Sequence, residues 1–231
     1  MTHDASALRY EIKFNAHVSE YDSMAAWLQV HPCGFFANYP ARIINNLYFD
    51  NPSYDSYWEN LVGISSRSKV RLRWYGDATQ SLGKAFLEIK FKKSRMGWKH
   101  IAAIDMGGRK INSLSHAELL KIVREPLDPE MAAYLDMSPM PVLMNSYERE
   151  YFLSADHRIR ATLDKDLRFY HCHHDPSGGV GSLALGPDIA VMEFKFGLDD
   201  IDRAKQALHS VRYQPTKNSK FVMGILACTG K

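Results

Sequence analysis

Cysteine is scarce in this chain. Cys33, Cys172 and Cys228 are the only three in 231 residues, an odd number at wide spacing. That argues against a disulfide framework and predicts a reducing, cytoplasmic location. Long apolar runs are missing as well: uncharged stretches such as 178–187 and 221–230 are too short to span a bilayer. The opening residues contain no basic segment leading into an apolar one, so no secretory signal is expected and the protein reads as soluble. Neither sign of charge is in large excess. Against 29 Lys+Arg stand 26 Asp+Glu, a formal charge of +3, too mild for the footprint of a nucleic-acid binder. No internal repeat or low-complexity tract is present. With 45% hydrophobic and 24% charged residues, the chain is too apolar to be disordered and long enough to bury a sizeable core.

What is present is period-two alternation rich in β-branched and aromatic residues, which predicts strands. They fall at 8–15, 42–50, 69–75, 85–92, 97–105, 142–153, 158–163, 166–171 and 189–196. Helical spacing is expected at 19–30, with Ser19 as N-cap, and at 54–62, 129–135, 200–210 and 218–227. A further helix at 115–123 opens with a Ser115–Glu118 capping box. Residues 173–187, with Pro176, Gly178, Gly179, Gly181 and Gly186, read as a loop between two strands. Gly107-Gly108 reads as a turn. The pattern predicts one α+β domain over residues 1–231, with its core at about 8–224, built on a large antiparallel sheet or barrel with flanking helices.

The charges of these strands are ordered. Successive strand residues face opposite ways, so Glu11 and Lys13 share a face against Tyr10, Ile12 and Phe14. Lys69, Arg71 and Arg73 oppose Val70, Leu72 and Trp74, and Glu88, Lys90 and Lys92 oppose Leu87, Ile89 and Phe91. Arg158 pairs with Arg160, and Glu193 with Lys195. One such strand would be an ordinary solvated face. Five with the same grammar predict faces that converge on an interior crowded with cations and a few carboxylates. That arrangement persists only with a compensating polyanion. Guanidinium forks suit phosphate oxygens, and isolated carboxylates suit a hard divalent cation such as Mg²⁺ or Mn²⁺. The inference is a phosphate-chain site with a metal.

Tyr-Glu-Ile-Lys-Phe (10–14), Tyr-Phe-Asp (48–50), Lys-Val-Arg-Leu-Arg (69–73) and Glu-Ile-Lys (88–90) resemble the triphosphate tunnel metalloenzyme superfamily. Tyr-Glu-Arg-Glu-Tyr-Phe (147–152), Ile-Arg-Ala-Thr-Leu-Asp (159–164), Met-Glu-Phe-Lys-Phe (192–196) and Ser-Lys-Phe (219–221) narrow the likeness to the polyphosphate polymerase domain of the vacuolar transporter chaperone (VTC) family. The resemblance implies an antiparallel β-barrel tunnel that transfers the γ-phosphate of ATP to a growing inorganic polyphosphate chain.

By the same resemblance Lys13, Arg71, Arg73, Lys90, Lys99, Arg149 and Arg160 line the tunnel and grip phosphates, and Tyr147 adds a hydroxyl. Lys220 is a further contact, and Lys195 is taken with the substrate-binding residues. Glu193 is the expected metal ligand, with Glu11 and Glu88 as the other available carboxylates. Each matched strand residue lies on the charged face, except Lys99, whose strand has no clear phase. Eukaryotic family members carry an added regulatory domain and membrane helices that this sequence does not contain, which implies a stand-alone form. Arg9 stands where the superfamily's triphosphatases have a further glutamate, which argues against hydrolysis.

The alternatives at this level are a triphosphatase acting on inorganic or organic triphosphate, and a non-catalytic polyphosphate-binding module. His171, His173 and His174 with Asp175 invite a zinc reading but have no second ligand pair, and Cys33 has no marked partner histidine. Arg67 to Tyr75 lacks the interleaved stacking aromatics of a single-strand binder.

Overall fold

The computed structural model describes residues 9–94, 96–172, 180–184, 186–217 and 219–230, and among these are nine strands and six α-helices. The strands are β1 (Arg9–His17), β2 (Phe36–Asp50), β3 (Ser66–Tyr75), β4 (Leu82–Lys93), β5 (Met96–Arg109), β6 (Met140–Leu153), β7 (Ile159–Cys172), β8 (Val180–Ala184) and β9 (Ile189–Gly197). The helices are α1 (Tyr21–Val30), α2 (Asp55–Val62), α3 (His116–Arg124), α4 (Pro129–Met137), α5 (Ile201–Leu208) and α6 (Lys220–Thr229). The strands form an antiparallel sheet in the order β1-β9-β7-β6-β2-β3-β4-β5, with β8 added on β7.

Among the described residues two compact units are distinguished. The first draws on the described residues of 9–42, 147–167 and 187–217, the second on those of 43–146, 168–186 and 219–230. The long strands β2, β6 and β7 each contribute one stretch to either unit. In the first unit the apolar alternation of β1, β7 and β9 (Phe14, Ile159, Ala161, Leu163, Met192, Phe194) packs against Met24 and Leu28 of α1 and Ala204 and Ala207 of α5. In the second, Val70, Leu72 and Trp74 of β3, Leu87 and Ile89 of β4, and Ile104 and Met106 of β5 pack with Leu119 and Val123 of α3 and Met131 and Leu135 of α4. Burial of these side chains stabilises each unit by roughly 25 cal/mol per Å² removed from water. In both units the charged alternate positions therefore face away from the core.

Several local expectations change. Ser19 does not cap α1: it lies inside a 3₁₀ turn, Val18–Glu20, where the His17 ring accepts from the Ser19 N–H at 3.3 Å, and α1 starts at Tyr21 without a side-chain cap. The strands expected at 158–163 and 166–171 are one strand, β7. Its alternation breaks at Asp166, whose φ of 53° is left-handed. Gly107 and Gly108 lie within β5, not in a turn. Their φ values of 55° and 75° form a bulge where Leu82 pairs with Arg109 but Lys84 with Asp105. Part of the expected 173–187 loop is strand β8; residues 173–179 and 185, including His173, His174 and Asp175, lie outside the described residues, as do Leu8 and Asn218. The Ser115–Glu118 capping box forms as expected, and Ser219 caps α6 by accepting from the Val222 N–H.

Candidate functional site

Strand register gathers the charged residues of the first unit. On β1 and β9 Lys13 lies opposite Glu193, and Glu11 opposite Lys195. On β9 and β7 the same two partners lie opposite Thr162 and Arg160. Paired residues of antiparallel strands project to one face, so β1 and β9 present alternating opposite charges, and β7 adds Arg160 beside Lys195 on the same face. Lys13 Nζ is 2.7 Å from Glu11 and 3.2 Å from Glu193, and Lys195 Nζ reaches both glutamates. Arg149 of β6 lies near enough to act electrostatically on Glu193. Its guanidinium carbon lies 5.3 Å from the centre of the Tyr147 ring, and its fork donates to both oxygens of Asp164, Nη2 at 2.7 Å. Burial alone would raise the Glu193 carboxyl; Lys13, Lys195 and Arg149 outweigh it and hold the group well below the usual carboxylate range. Burial would likewise lower Lys13, but Glu193 and Glu11 push it above its ordinary value.

The second unit builds a similar cluster around Glu88. Tyr48 lies opposite Arg71, and Arg71 opposite Glu88; Asn46 lies opposite Arg73. Arg71 donates to Glu88 Oε2 through Nε at 2.9 Å and through Nη2, with Arg73 Nη1 at 3.8 Å, while Lys99 Nζ is 3.2 Å from Oε1. Arg73 is fixed by Asn46 Oδ1 at 2.8 Å, and Asn46 in turn donates to Asn145. The Glu88 carboxyl, which burial would raise, is lowered far below its ordinary value by Arg71, Arg73 and Lys99. Burial is the leading cause that holds Lys99 below its own. Register also settles the phase of Lys99: Lys69, Lys90 and Lys99 lie opposite one another on β3, β4 and β5. Helix α6 packs on this polar side. Phe221 stacks on Tyr48 at 5.0 Å, and Gly224 comes so close to Leu143 and Phe169 that a Cβ would lie 2.5 and 2.6 Å from them. This sets Ser219 Oγ 3.4 Å from Lys69 Nζ, at the end of the helix that begins with Lys220.

The expected site residues of the described strands therefore divide between the two units: Glu11, Lys13, Tyr147, Arg149, Arg160, Glu193 and Lys195 in the first, and Arg71, Arg73, Glu88, Lys90 and Lys99 in the second, to which Lys220 also belongs as the first residue of α6. The sequence pattern did not single out Asp164, Asn46 or Tyr48. Asp164 and Asn46 orient arginines, and their only sequence signal is a polar residue at a charged-face position. Asp50, in Tyr-Phe-Asp, has a structural role: it accepts from the Asn51, Ser56 and Tyr57 N–H groups at the start of α2.

For a divalent cation, the first cluster supplies suitable donors. Glu11 and Glu193 flank the same two ammonium groups, so their hard oxygens lie close to a common point. No group of three or more His, Cys, Asp or Glu gathers among the described residues. An ion such as Mg²⁺ needs only one or two protein carboxylates and completes its shell with phosphate oxygens and water. Glu88, like Glu193, has both oxygens paired with cations of its own unit.

A family model described as the VTC domain matches residues 8–229. The vacuolar transporter chaperone complex subunit 4 of Trypanosoma cruzi is 27% identical over 228 residues, covering 81% of this chain and 28% of the relative, so the chain spans little more than a quarter of that protein's length. Among solved structures, the Hippeastrum adenylyl cyclase candidate HpAC1, described as having a dominant triphosphatase activity, aligns with a TM-score of 0.54 at 11% identity, covering 97% of this chain and 96% of its own. That likeness shows a shared fold. A candidate adenylate cyclase from Vibrio parahaemolyticus aligns over 91% of this chain and 94% of its own at 12% identity, with a TM-score of 0.48. No helix among the described residues is long and apolar enough to cross a membrane.

Proposed function

The chain belongs to the VTC domain family, and from that premise we propose that it is a polyphosphate polymerase that transfers the γ-phosphate of ATP to inorganic polyphosphate. The observation that carries this reading is that Glu88 and Glu193, both buried, are each ringed by three cations on a strand face turned away from the core. Such clusters bind phosphate chains because a polyanion relieves the repulsion among their cations.

In the reaction, an oxygen of the terminal phosphate of the acceptor chain attacks the γ-phosphorus. The bond from that phosphorus to the β–γ bridging oxygen breaks, ADP leaves, and the chain is one phosphate longer. The attacking oxygen is already anionic, so no general base is needed, and catalysis rests on positioning and charge stabilisation. Arg71, Arg73, Lys90, Lys99 and Lys220 hold phosphate oxygens in the second unit. Lys13, Arg149, Arg160, Lys195 and the Tyr147 hydroxyl do so in the first. A Mn²⁺ or Mg²⁺ ion held by Glu193 with Glu11 would supply charge neutralisation at phosphate oxygens. Glu88 keeps Arg71, Arg73 and Lys99 aligned. The three free cysteines fit a reducing, cytoplasmic setting.

Incubation with ATP and Mn²⁺ tests the reading. Long anionic chains on a polyacrylamide gel are the expected product. Free phosphate alone would make the protein a triphosphatase, and triphosphate binding without turnover would make it a polyphosphate-binding module.

A further inference from the structure

A second feature of the first unit lies next to its phosphate-gripping residues. Tyr147, Arg149 and Tyr151 project from one face of β6, two residues apart and therefore about 7 Å from one to the next. Along that face exposure rises: Tyr147 is 3% exposed and the Arg149 side chain 11%, while Tyr151 is half-buried. Next to Tyr151 stands Tyr39 of β2, 55% exposed, with its ring centre 5.9 Å from that of Tyr151 and the two planes at 82°. The Arg42 guanidinium carbon lies 5.5 Å from the Tyr39 ring centre and 5.8 Å from that of Tyr151. The whole stretch 36–43 is exposed.

An aromatic pair bracing two strands is usual in a sheet. A tyrosine more than half exposed, beside a guanidinium shared by two rings, has instead an open π-face and a planar cation that a flat heterocycle can cover. The phosphate clusters cannot by themselves tell a nucleotide donor from an inorganic triphosphate. Tyr151 stands one same-face step, about 7 Å, along β6 from Arg149.

We propose that Tyr39, Arg42 and Tyr151 form a stacking platform for the base of a nucleoside triphosphate whose phosphates reach the Arg149–Glu193 cluster. This inference rests on the phosphate-binding reading above and adds the donor's base to it. Recognition through a stacking surface is tolerant of the identity of the base.

Calorimetric titration with β,γ-imido-ATP and, separately, with inorganic triphosphate tests it. Tyr39→Ala should weaken the nucleotide analogue about tenfold and leave triphosphate within about twofold, the scale of one lost base–aromatic stack. Tyr39→Phe, which keeps the ring, should match the wild type, and Arg42→Gln should follow Tyr39→Ala. Equal losses for both ligands, or no loss for either, would overturn the platform while leaving the phosphate site in place. A wild-type protein that binds neither ligand would overturn the phosphate-binding reading, and the platform with it.

Discussion

Arg149 and Asp164 meet in a two-armed ion pair, Nε to Oδ1 and Nη2 to Oδ2, with the Asp164 side chain fully buried. The carboxylate fixes the plane of the guanidinium and, with burial opposing it, drives Arg149 well above its ordinary pKa. The arginine is therefore a permanent, oriented charge that can face Glu193 and a phosphate at once.

Removing one member of a buried pair leaves the other charge uncompensated, at a cost of about 3–5 kcal/mol. Asp164→Ala should lower unfolding free energy by that amount in urea titration. Arg149→Lys should keep the charge but lose the fork, weakening triphosphate binding more than stability.

Arg71 and Arg73 stand on one face of β3 but are held differently, Arg71 by Glu88 and Tyr48 and Arg73 by Asn46. Either one replaced by alanine should abolish turnover while circular dichroism and melting show a folded protein. Unchanged activity would remove that arginine from the site. Raising ionic strength should weaken triphosphate binding, because the contacts are charge–charge.

Glu88→Gln leaves Arg71, Arg73 and Lys99 without their shared counter-charge. The variant should melt at a lower temperature than the wild type, and triphosphate should raise its melting point by a larger increment than it raises that of the wild type. If Glu88 were instead a metal ligand, the variant would keep its melting point and change its Mn²⁺ requirement.

Acid stability follows from the same carboxylates. Glu88 and Glu193 have folded-state pKa values below the ordinary 4.5. The unfolded chain therefore binds their protons first, and the stability they contribute is present above that value. It is lost progressively as pH falls below about 4.3 toward the depressed folded values. Melting temperature measured from pH 7 downward should show that fall, and Glu88→Gln should flatten part of it.

Gly224 lets α6 approach Leu143 and Phe169 closer than any side chain allows. Gly224→Ala should destabilise the protein by about 1–3 kcal/mol through overpacking. It should also weaken triphosphate binding by displacing Ser219 and Lys220, which lie about one helical turn from Gly224.

The faces of β1, β3, β4 and β9 were readable because alternation is a local property: Lys13, Arg71, Glu88 and Glu193 each sit between apolar neighbours in sequence. Lys99 was not, since apolar residues flank it in both phases of β5, and only its pairing with Lys90 assigns the face. The run 158–171 looked like two strands because Asp166 interrupts its alternation without ending its hydrogen bonding. Asp164 looked like a strand-end residue, although it is the most buried acid beside Arg149.

The residue order alone determined which side chains are apolar, which are cationic, and which of them share a side of a given strand, since all three follow from residue chemistry and the two-residue repeat. Which cation meets which carboxylate was decided by tertiary structure. The register between β1 and β9 gives Lys13 to Glu193, and that between β3 and β4 gives Arg71 to Glu88. Register depends on distant strands burying their apolar faces together, and a single chain segment carries no record of its partner.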